Sequence, residues 1–305
     1  MPEELRSDDL LERLLIQARR AHDIYQSSID PAASLAAHRE VTKFVEQYSD
    51  VIRAKSTNRR AQLAALPAPA DQLPIFSYWD SPLEEAPPLV RACLAQLRAV
   101  HPEARILDRA SVSELVDIPP IVAERLAELP AHFSDYLRVS LLESYGGMWV
   151  DATCFVPRPL TESVPPLLEA GMLYLRWGGT QISNWFIAAR RGNAVISLQR
   201  AALETWWEDN GTLPDYFLYH RFFEALHASE AVVKQEWKMM PKISTIPSHL
   251  MQLTMFRPYD EQELAVVLAA AFVQKLSYKY HPDSVLPGSV LERLIDGTLV
   301  AGAAD

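Results

Sequence analysis

Three charged side chains with complementary chemistry stand close together in the stretch SDYLRVSLLESYGGMWVD. Asp135 and Arg138 are three positions apart, and Asp151 follows after a Gly-Gly pair. A carboxylate accepts hydrogen bonds from hydroxyl groups, and a guanidinium fork matches the oxygens of a phosphate. These three side chains could therefore bind an anionic or polyhydroxylated ligand, provided that the fold brings them together.

A helix, a glycine turn and a strand are predicted to position these side chains. Apolar residues recur at helical spacing from 137 to 145, and Ser134 before them is a suitable N-cap. Gly146 and Gly147 end the helix, because glycine readily adopts the left-handed conformation of a C-cap. Twelve helical residues cover about 18 Å. The strand 147–151 then returns about 16 Å.

If the chain doubles back at the glycines, Asp151 comes level with the start of the helix. Asp135 and Arg138 share one face of its first turn, so all three side chains would converge where a strand ends beside a helix N-terminus. Spacing alone leaves an alternative, in which Asp135 and Arg138 form a local ion pair and Asp151 is only a turn residue. Spacing also leaves the ligand unidentified.

The rest of the chain predicts an α/β domain with a helical module before it. Strand-like runs alternate with helix-periodic segments from residue 75 to 227, which indicates a mostly parallel sheet with ligand chemistry at its strand ends. Residues 1–65 have helical periodicity, and 66–74 form a Pro-rich linker. The predicted division is a helical module and linker (1–70), an α/β domain (71–284), and a C-terminal helix and tail (285–305).

Composition and charge exclude several classes of protein. The net charge of -10 argues against generic nucleic-acid binding, although one local basic site could still bind a small phosphate compound. Cys93 and Cys154 make neither a disulfide framework nor a zinc-ligand pattern. The N-terminal sequence lacks the features of a signal peptide, and no apolar run approaches the roughly 20 residues of a membrane span. We therefore expect a soluble, cytoplasmic protein.

Several motifs resemble the capsular polysaccharide synthesis family of bacterial glycosyltransferases. The core motif is AHFSDYLRVSLLESYGGMWVDATCFVPRPL, and similar blocks are IFSYWDSPLEEAPPLVRACL, ISNWFIAARRGN, DYFLYHRFF and VQKLSYKY. This family is related to glycosyltransferase family 32 and, more distantly, to the clostridial glucosylating toxins. The similarity runs from about residue 74 to 281 and leaves 1–70 and 285–305 outside.

The resemblance implies a GT-A-like, Rossmann-type nucleotide-sugar domain. It further implies transfer of a sugar from a nucleotide-diphospho-sugar donor to a surface polysaccharide or glycolipid, with retention of anomeric configuration. Two alternatives stay open: modification of a protein side chain, and a catalytically silent nucleotide-sugar-binding subunit. Residues 1–65 carry no catalytic signature, and we favour a packing or oligomerisation role over peripheral contact with the inner membrane or a partner.

The resemblance also implies roles for residues at the predicted donor site. Trp79 would pack near the donor base, and Asp135 with Arg138 would bind the donor sugar's hydroxyls and the neighbouring phosphate. Asn184 would lie beside the anomeric carbon and the β-phosphate, and together with Asp135, Arg138 and Asp151 it completes the predicted catalytic set. The alternatives are a core tryptophan at 79 and a buried structural amide at 184.

Cations near the C-terminus are implied to cover the diphosphate. These are Lys275, Lys279 and His281, for which a solvated surface is the alternative. His220 could face the acceptor, although a helical histidine among aromatic side chains is more often structural. Cationic groups at this position would stabilise the charge of the leaving diphosphate.

The predicted metal site departs from the family pattern. Asp151 matches the first acid of an Asp-x-Asp motif that binds metal and ribose, but Thr153 stands where the second acid is usual. A neutral hydroxyl is a weaker ligand than a carboxylate for a hard divalent cation. We expect Mg²⁺ or Mn²⁺ at Asp151 and Thr153, while reduced metal dependence, with Arg138 and the C-terminal cations instead, is the alternative.

Overall fold

The computed structural model of the protein describes residues 7–67, 73–209 and 211–299. The helices in these ranges are α1 (Ser7–Ser27), α2 (Pro31–Gln47), α3 (Ser49–Ala64), α4 (Pro88–Val100), α5 (Pro120–Arg125), α6 (Pro130–Tyr145), α7 (Leu160–Ser163), α8 (Ala194–Asp209), α9 (Leu218–Ser229), α10 (Ala231–Met239), α11 (Leu250–Thr254), α12 (Glu261–Ala269) and α13 (Val290–Ile295). The strands are β1 (Ile75–Tyr78), β2 (Arg105–Leu107), β3 (Gly147–Val150), β4 (Cys154–Phe155), β5 (Met172–Gly178), β6 (Gln181–Ala189) and β7 (Gln274–Lys275).

The central sheet is mostly parallel. Its strand order is β2-β1-β3-β6-β5, and β1 runs parallel to both of its neighbours. β6 runs antiparallel to β3 and to β5. The other four strands of this sheet therefore share one direction, and β6 runs in the opposite one. A second sheet consists of the antiparallel pair β4 and β7. The predicted α/β class with a mostly parallel sheet is confirmed.

Helix α6 begins earlier than the sequence predicts. It starts at Pro130 rather than after Ser134, so Asp135 and Arg138 lie in the interior of the helix. Pro130 suits the first helical turn because its fixed φ is helical and the N–H that it lacks would have no partner within the helix there. Ser134 is therefore not an N-cap; its hydroxyl accepts a hydrogen bond from Arg138 instead.

The predicted glycine turn connects α6 to β3. Gly146 and Gly147 have φ values of 69° and 95°, a conformation that disfavours residues with a side chain. A Cβ on Gly147 would lie 2.0 Å from the carbonyl oxygen of Pro74, just before β1. The chain reverses here and enters β3 in the middle of the sheet, as predicted.

The N-terminal helices share their cores with the sheet domain. α2 and α3 pack on α9 and α8, and Val41, Phe44 and Ile52 belong to the same apolar core as the sheet. α1 packs through Leu14 and Ala18 against a second core that includes α12 and α13. Among the described residues, the stretch 1–65 with predicted helical periodicity forms three helices, and Tyr48 separates α2 from α3.

Parts of the predicted segments lie outside the described residues. These are 1–6 of the helical module, 68–72 of the linker, residue 210 of the α/β domain and 300–305 of the tail. Within the described ranges, no helix combines the length and apolar character needed to cross a bilayer.

Candidate active site

Asp135, Arg138 and Asp151 meet where β3 ends. The guanidinium of Arg138 lies 3.0 Å from Oδ1 of Asp135 and 3.4 Å from Oδ1 of Asp151. The indole N–H of Trp149 also donates to Oδ1 of Asp151 at 2.8 Å. The convergence predicted from the helix, the glycine turn and the strand is confirmed.

Asp135 and Arg138 lie behind the surface of the site. They are only 6% and 4% exposed, and Arg138 Nη1 donates to the main-chain oxygen of Asn184 at 2.7 Å. The side-chain amide of Asn184 donates in turn to Asp135 at 2.8 Å. The buried pair thus fixes both the main chain and the side chain of Asn184 on β6.

A lysine from the far end of the domain completes the charged cluster. β7 pairs with β4 so that Lys275 stands opposite Cys154, and its ammonium donates to Oδ2 of Asp151 at 2.8 Å and to Oγ1 of Thr153 at 2.7 Å. Burial alone would raise the pKa of Asp151, but Lys275 and Arg138 outweigh it, so this pKa lies below its ordinary value. Burial would lower the pKa of Lys275, but Asp151 outweighs it and the net direction is upward.

A cavity of about 820 Å³ opens in front of this cluster. Asp151, Thr153, Asn184 and Lys275 line it, whereas Asp135 and Arg138 do not. Three ring nitrogens of other lining residues lack a hydrogen-bond partner within the described part of the chain: Trp185 Nε1, His220 Nδ1 and His249 Nε2. Unpartnered buried polar atoms are costly, so a ligand with hydroxyl groups or oxygens would satisfy them.

His220 and His249, two of the histidines that line the cavity, are neutral near pH 7. Burial lowers the pKa of His220 to about 4, against a smaller opposing effect of Asp135. Burial likewise lowers the pKa of His249 to about 4. Neutral imidazoles offer one donor and one acceptor each, which suits hydroxyl groups better than it suits the charge of a phosphate.

Comparison with known proteins places the chain in a family. The family described as "Capsular polysaccharide synthesis protein" matches residues 23–294. The chain belongs to this family. The match extends beyond the predicted 74–281 at both ends and includes most of the N-terminal helices.

Comparison also finds a similar protein and a similar solved structure, each described by name as a glycosyltransferase. "O-glycosyltransferase braB" of Annulohypoxylon truncatum is 28% identical over 157 residues, covering 44% of this chain and 37% of the relative. The matched region is therefore little more than a third of that relative's length. The solved structure "PaToxG Glycosyltransferase" is 14% identical, with a TM-score of 0.36, over 79% of this chain and 96% of its own. A similarity of that size does not establish a shared fold.

The N-terminal helices of this family member form one wall of the cavity, which the sequence did not indicate. His22 and Tyr25 of α1 line the cavity together with residues at the start of α2. The His22 ring stacks on Trp177 with centroids 4.0 Å apart and planes 7° apart, and His249 lies against Trp177 at 4.8 Å. Amphipathic periodicity indicates that a helix packs, but it does not indicate what its other residues face.

Some of the remaining predicted residues line the cavity and others do not. Lys279 lines the cavity, but His281 does not: its side chain is 74% exposed and lies 3.3 Å from Asp283. Trp79 does not line the cavity either; its ring makes an edge contact with Tyr278, 5.3 Å between centroids, and Tyr278 does line it. His220, for which the sequence favoured a structural role, lines the cavity.

The two predicted metal ligands do not fit a divalent cation in this arrangement. Asp151 and Thr153 both hydrogen-bond to the ammonium of Lys275. Across the described ranges, no group of three or more His, Cys, Asp or Glu side chains is arranged to hold a metal. A divalent ion about 4 Å from the ammonium would be repelled by about 8 kcal/mol at an effective dielectric constant of about 20.

Proposed function

We propose that this chain is a glycosyltransferase that uses a nucleotide-diphospho-sugar donor. One observation carries the proposal: the cavity at the end of β3 combines an acid, an amide and an ammonium group with three unpartnered ring nitrogens. The ammonium and the amide suit a diphosphate, and the carboxylate and the ring nitrogens suit the hydroxyls of a sugar. Family membership and the name of the similar O-glycosyltransferase support the same class.

The cavity has room for the donor sugar and diphosphate together with an acceptor group. Its volume of about 820 Å³ falls within the roughly 300–1,000 Å³ of ordinary ligand pockets. Its position at the carboxyl end of β3, in a mostly parallel sheet, supports the predicted GT-A-like arrangement. We assign the diphosphate to the side of Lys275 and Asn184, and the acceptor to the side of α1, where His22 and Tyr25 form the wall.

The proposed reaction breaks the bond between the anomeric carbon and the diphosphate oxygen. An acceptor hydroxyl forms the new bond to that carbon on the face from which the diphosphate leaves, and it gives its proton to the departing phosphate oxygen. Attack on this face retains the anomeric configuration. Lys275 stabilises the negative charge on the leaving diphosphate. Asn184 is held from behind by Asp135 and Arg138, so its amide can position the donor without rearranging.

The acceptor is proposed to be a growing surface polysaccharide or a glycolipid, in line with the family description. Action on a protein side chain, or nucleotide-sugar binding without turnover, would leave the same donor contacts in place. Detection of a reaction product, and of the molecule that carries the transferred sugar, distinguishes these alternatives.

A panel of nucleotide sugars tests the proposal. We expect at least one to release its nucleoside diphosphate slowly in water and faster with a saccharide acceptor. NMR of the product should show the anomeric configuration of the donor. Lys238→Ala, which removes a charge from an exposed position on α10, is the matched control. Binding without release would indicate a silent subunit, and failure of every donor to bind would contradict the proposal.

A further inference from the structure

The place predicted for a divalent cation is held by a side chain of the protein. Lys275 Nζ lies 2.8 Å from Oδ2 of Asp151 and 2.7 Å from Oγ1 of Thr153, the two oxygens that would otherwise be metal ligands. We propose that the Lys275 ammonium takes the place of the cation, so that sugar transfer proceeds without a metal. This inference rests on the proposed function.

The main chain fixes the position of this ammonium. β7 is antiparallel to β4, with Lys275 opposite Cys154, and the N–H of Leu276 donates to the main-chain oxygen of Thr153 at 2.9 Å. Lys275 therefore emerges from a paired strand rather than from a free tail. Its side chain is 20% exposed and lines the cavity.

A neutral residue at position 153 keeps the charged cluster balanced when Lys275 supplies the positive charge. Together, Asp135, Asp151, Arg138 and Lys275 carry two negative and two positive formal charges, so the cluster is neutral when Thr153 stands at the second position. A second acid there would leave one negative charge without a partner, which is the condition that favours a divalent ion. The threonine hydroxyl accepts from the ammonium without adding charge.

The ammonium keeps one donor for a ligand. Lysine has three N–H groups, and two of them point to Asp151 and Thr153. The third can reach a diphosphate oxygen in the cavity that Lys275 lines. The positive charge thus stands where the leaving group becomes negative, which is the contribution that a metal makes in metal-dependent transfer.

Diphosphate binding tests this assignment without knowledge of the sugar or the acceptor. Calorimetry would measure binding of UDP, GDP, ADP, CDP and inorganic pyrophosphate to the full chain, first in EDTA and then with Mg²⁺ or Mn²⁺. We expect at least one of these compounds to bind the wild type with a Kd that differs by less than about threefold between the two conditions.

Variants separate a cation role from a structural role. Lys275→Ala should weaken diphosphate binding about 100-fold in EDTA, and Mn²⁺ should restore part of it, because Asp151 and Thr153 are then free to bind the ion. The double variant Lys275→Ala, Asp151→Asn should gain nothing from Mn²⁺. Lys238→Ala is the control for loss of a positive charge, and circular dichroism checks the fold of each variant.

The wild-type result decides the matter even if a variant does not fold. Binding that requires Mg²⁺ or Mn²⁺ would overturn the assignment, and so would failure of all five compounds to bind. Metal-independent binding combined with absence of turnover for every nucleotide sugar would support the role of Lys275 and contradict the proposed function.

Discussion

Two buried clusters of charged side chains share helix α6, and only one of them faces a cavity. The site cluster consists of Asp135, Arg138, Asp151 and Lys275. The second, which we name the interhelical network, ties α6 to α3 and α8. Its members are Lys55, Arg59, Glu143, Arg200 and Glu204.

The interhelical network holds α3, α6 and α8 together through buried ion pairs. Glu143 is fully buried and accepts from Arg200 at 2.8 Å and from Arg59 at 3.1 Å. Glu204 pairs with Lys55 and Arg59, each at 3.0 Å, and also accepts from the hydroxyl of Tyr136 at 2.8 Å. Neither carboxylate lines the cavity, so each has its partners within the protein.

Burial of charge therefore does not identify a ligand site by itself. Both clusters pair carboxylates with guanidinium and ammonium groups, and both have, in or beside them, buried nitrogens without a hydrogen-bond partner among the described residues. Of the two, the site cluster is the one whose residues line the cavity. The network should contribute to stability, and the site cluster should contribute to turnover. Substitutions in each cluster test that distinction.

Glu143→Gln should show the largest effect on stability. Loss of the Glu143 charge leaves the buried Arg200 without its closest carboxylate and Arg59 with Glu204 as its remaining partner, which costs about 3–5 kcal/mol. Urea denaturation would measure the free energy of unfolding, with Glu46→Gln on the exposed face of α2 as control. A loss below about 1 kcal/mol would remove the distinction between the two clusters.

Asp151→Asn should lower turnover strongly and the free energy of unfolding only a little. Turnover of the donor should fall by about 100- to 1,000-fold, because the carboxylate that positions Lys275 is lost. Its effect on the free energy of unfolding should be smaller than that of Glu143→Gln, since water in the cavity can solvate the ammonium. Equal turnover in variant and wild type would show that Asp151 is not part of the machinery.

Acid should lower the free energy of unfolding through the two buried histidines of the cavity, His220 and His249. The folded-state pKa of His220 and of His249 is about 4, below the ordinary value of 6.5, because burial disfavours the charged imidazole. The unfolded chain therefore binds more protons, and stability is lost as the pH falls from about 6.5 towards 4. Each histidine should account for about 2 kcal/mol at pH 5.

Urea denaturation at pH 7 and pH 5 would measure this loss. His220→Gln should reduce it by about 2 kcal/mol, because glutamine does not titrate. The pKa of Glu204 lies below its usual value: burial would raise it, but Arg59 and Lys55 outweigh that effect. Glu204 therefore stays ionised to a lower pH than an ordinary glutamate. An unchanged acid loss in His220→Gln would assign it to other groups.

Asp135→Asn should lower turnover less than Asp151→Asn does. Asparagine keeps the volume but weakens the hold on Arg138 and on the amide of Asn184, so turnover should fall about tenfold through poorer positioning. Because Asp135 and Arg138 are buried, alanine at either position would add a cavity and confuse stability with activity. A fall as large as that of Asp151→Asn would indicate direct contact with the donor.

Local geometry made one part of the site predictable. Gly146 and Gly147 mark the reversal of the chain, and the lengths of the helix and the strand place Asp151 beside Arg138. That prediction survived even though α6 begins at Pro130, because convergence depends on the reversal and not on the first residue of the helix.

Long-range pairing made the other part unpredictable. The contact between Asp151 and Lys275 joins residues 124 positions apart, and the two-residue strand that carries Lys275 leaves no periodic signal. His22 is similar: its helix showed an apolar face, but its stack on Trp177 depends on how α1 packs against the rest of the molecule. The sequence alone therefore favoured a metal at Asp151 and Thr153, where the structure has an ammonium.

The pairing of β4 with β7 also sets the time at which the charged cluster can form during synthesis. Asp151 leaves the ribosome 124 residues before Lys275, an interval of roughly 6–25 s at about 5–20 residues per second. Throughout that interval the nascent chain has Asp135, Arg138 and Asp151 but no ammonium between Asp151 and Thr153. A polypeptide that stalls before Lys275 would thus possess most of the sheet and lack the group proposed to stabilise the leaving diphosphate.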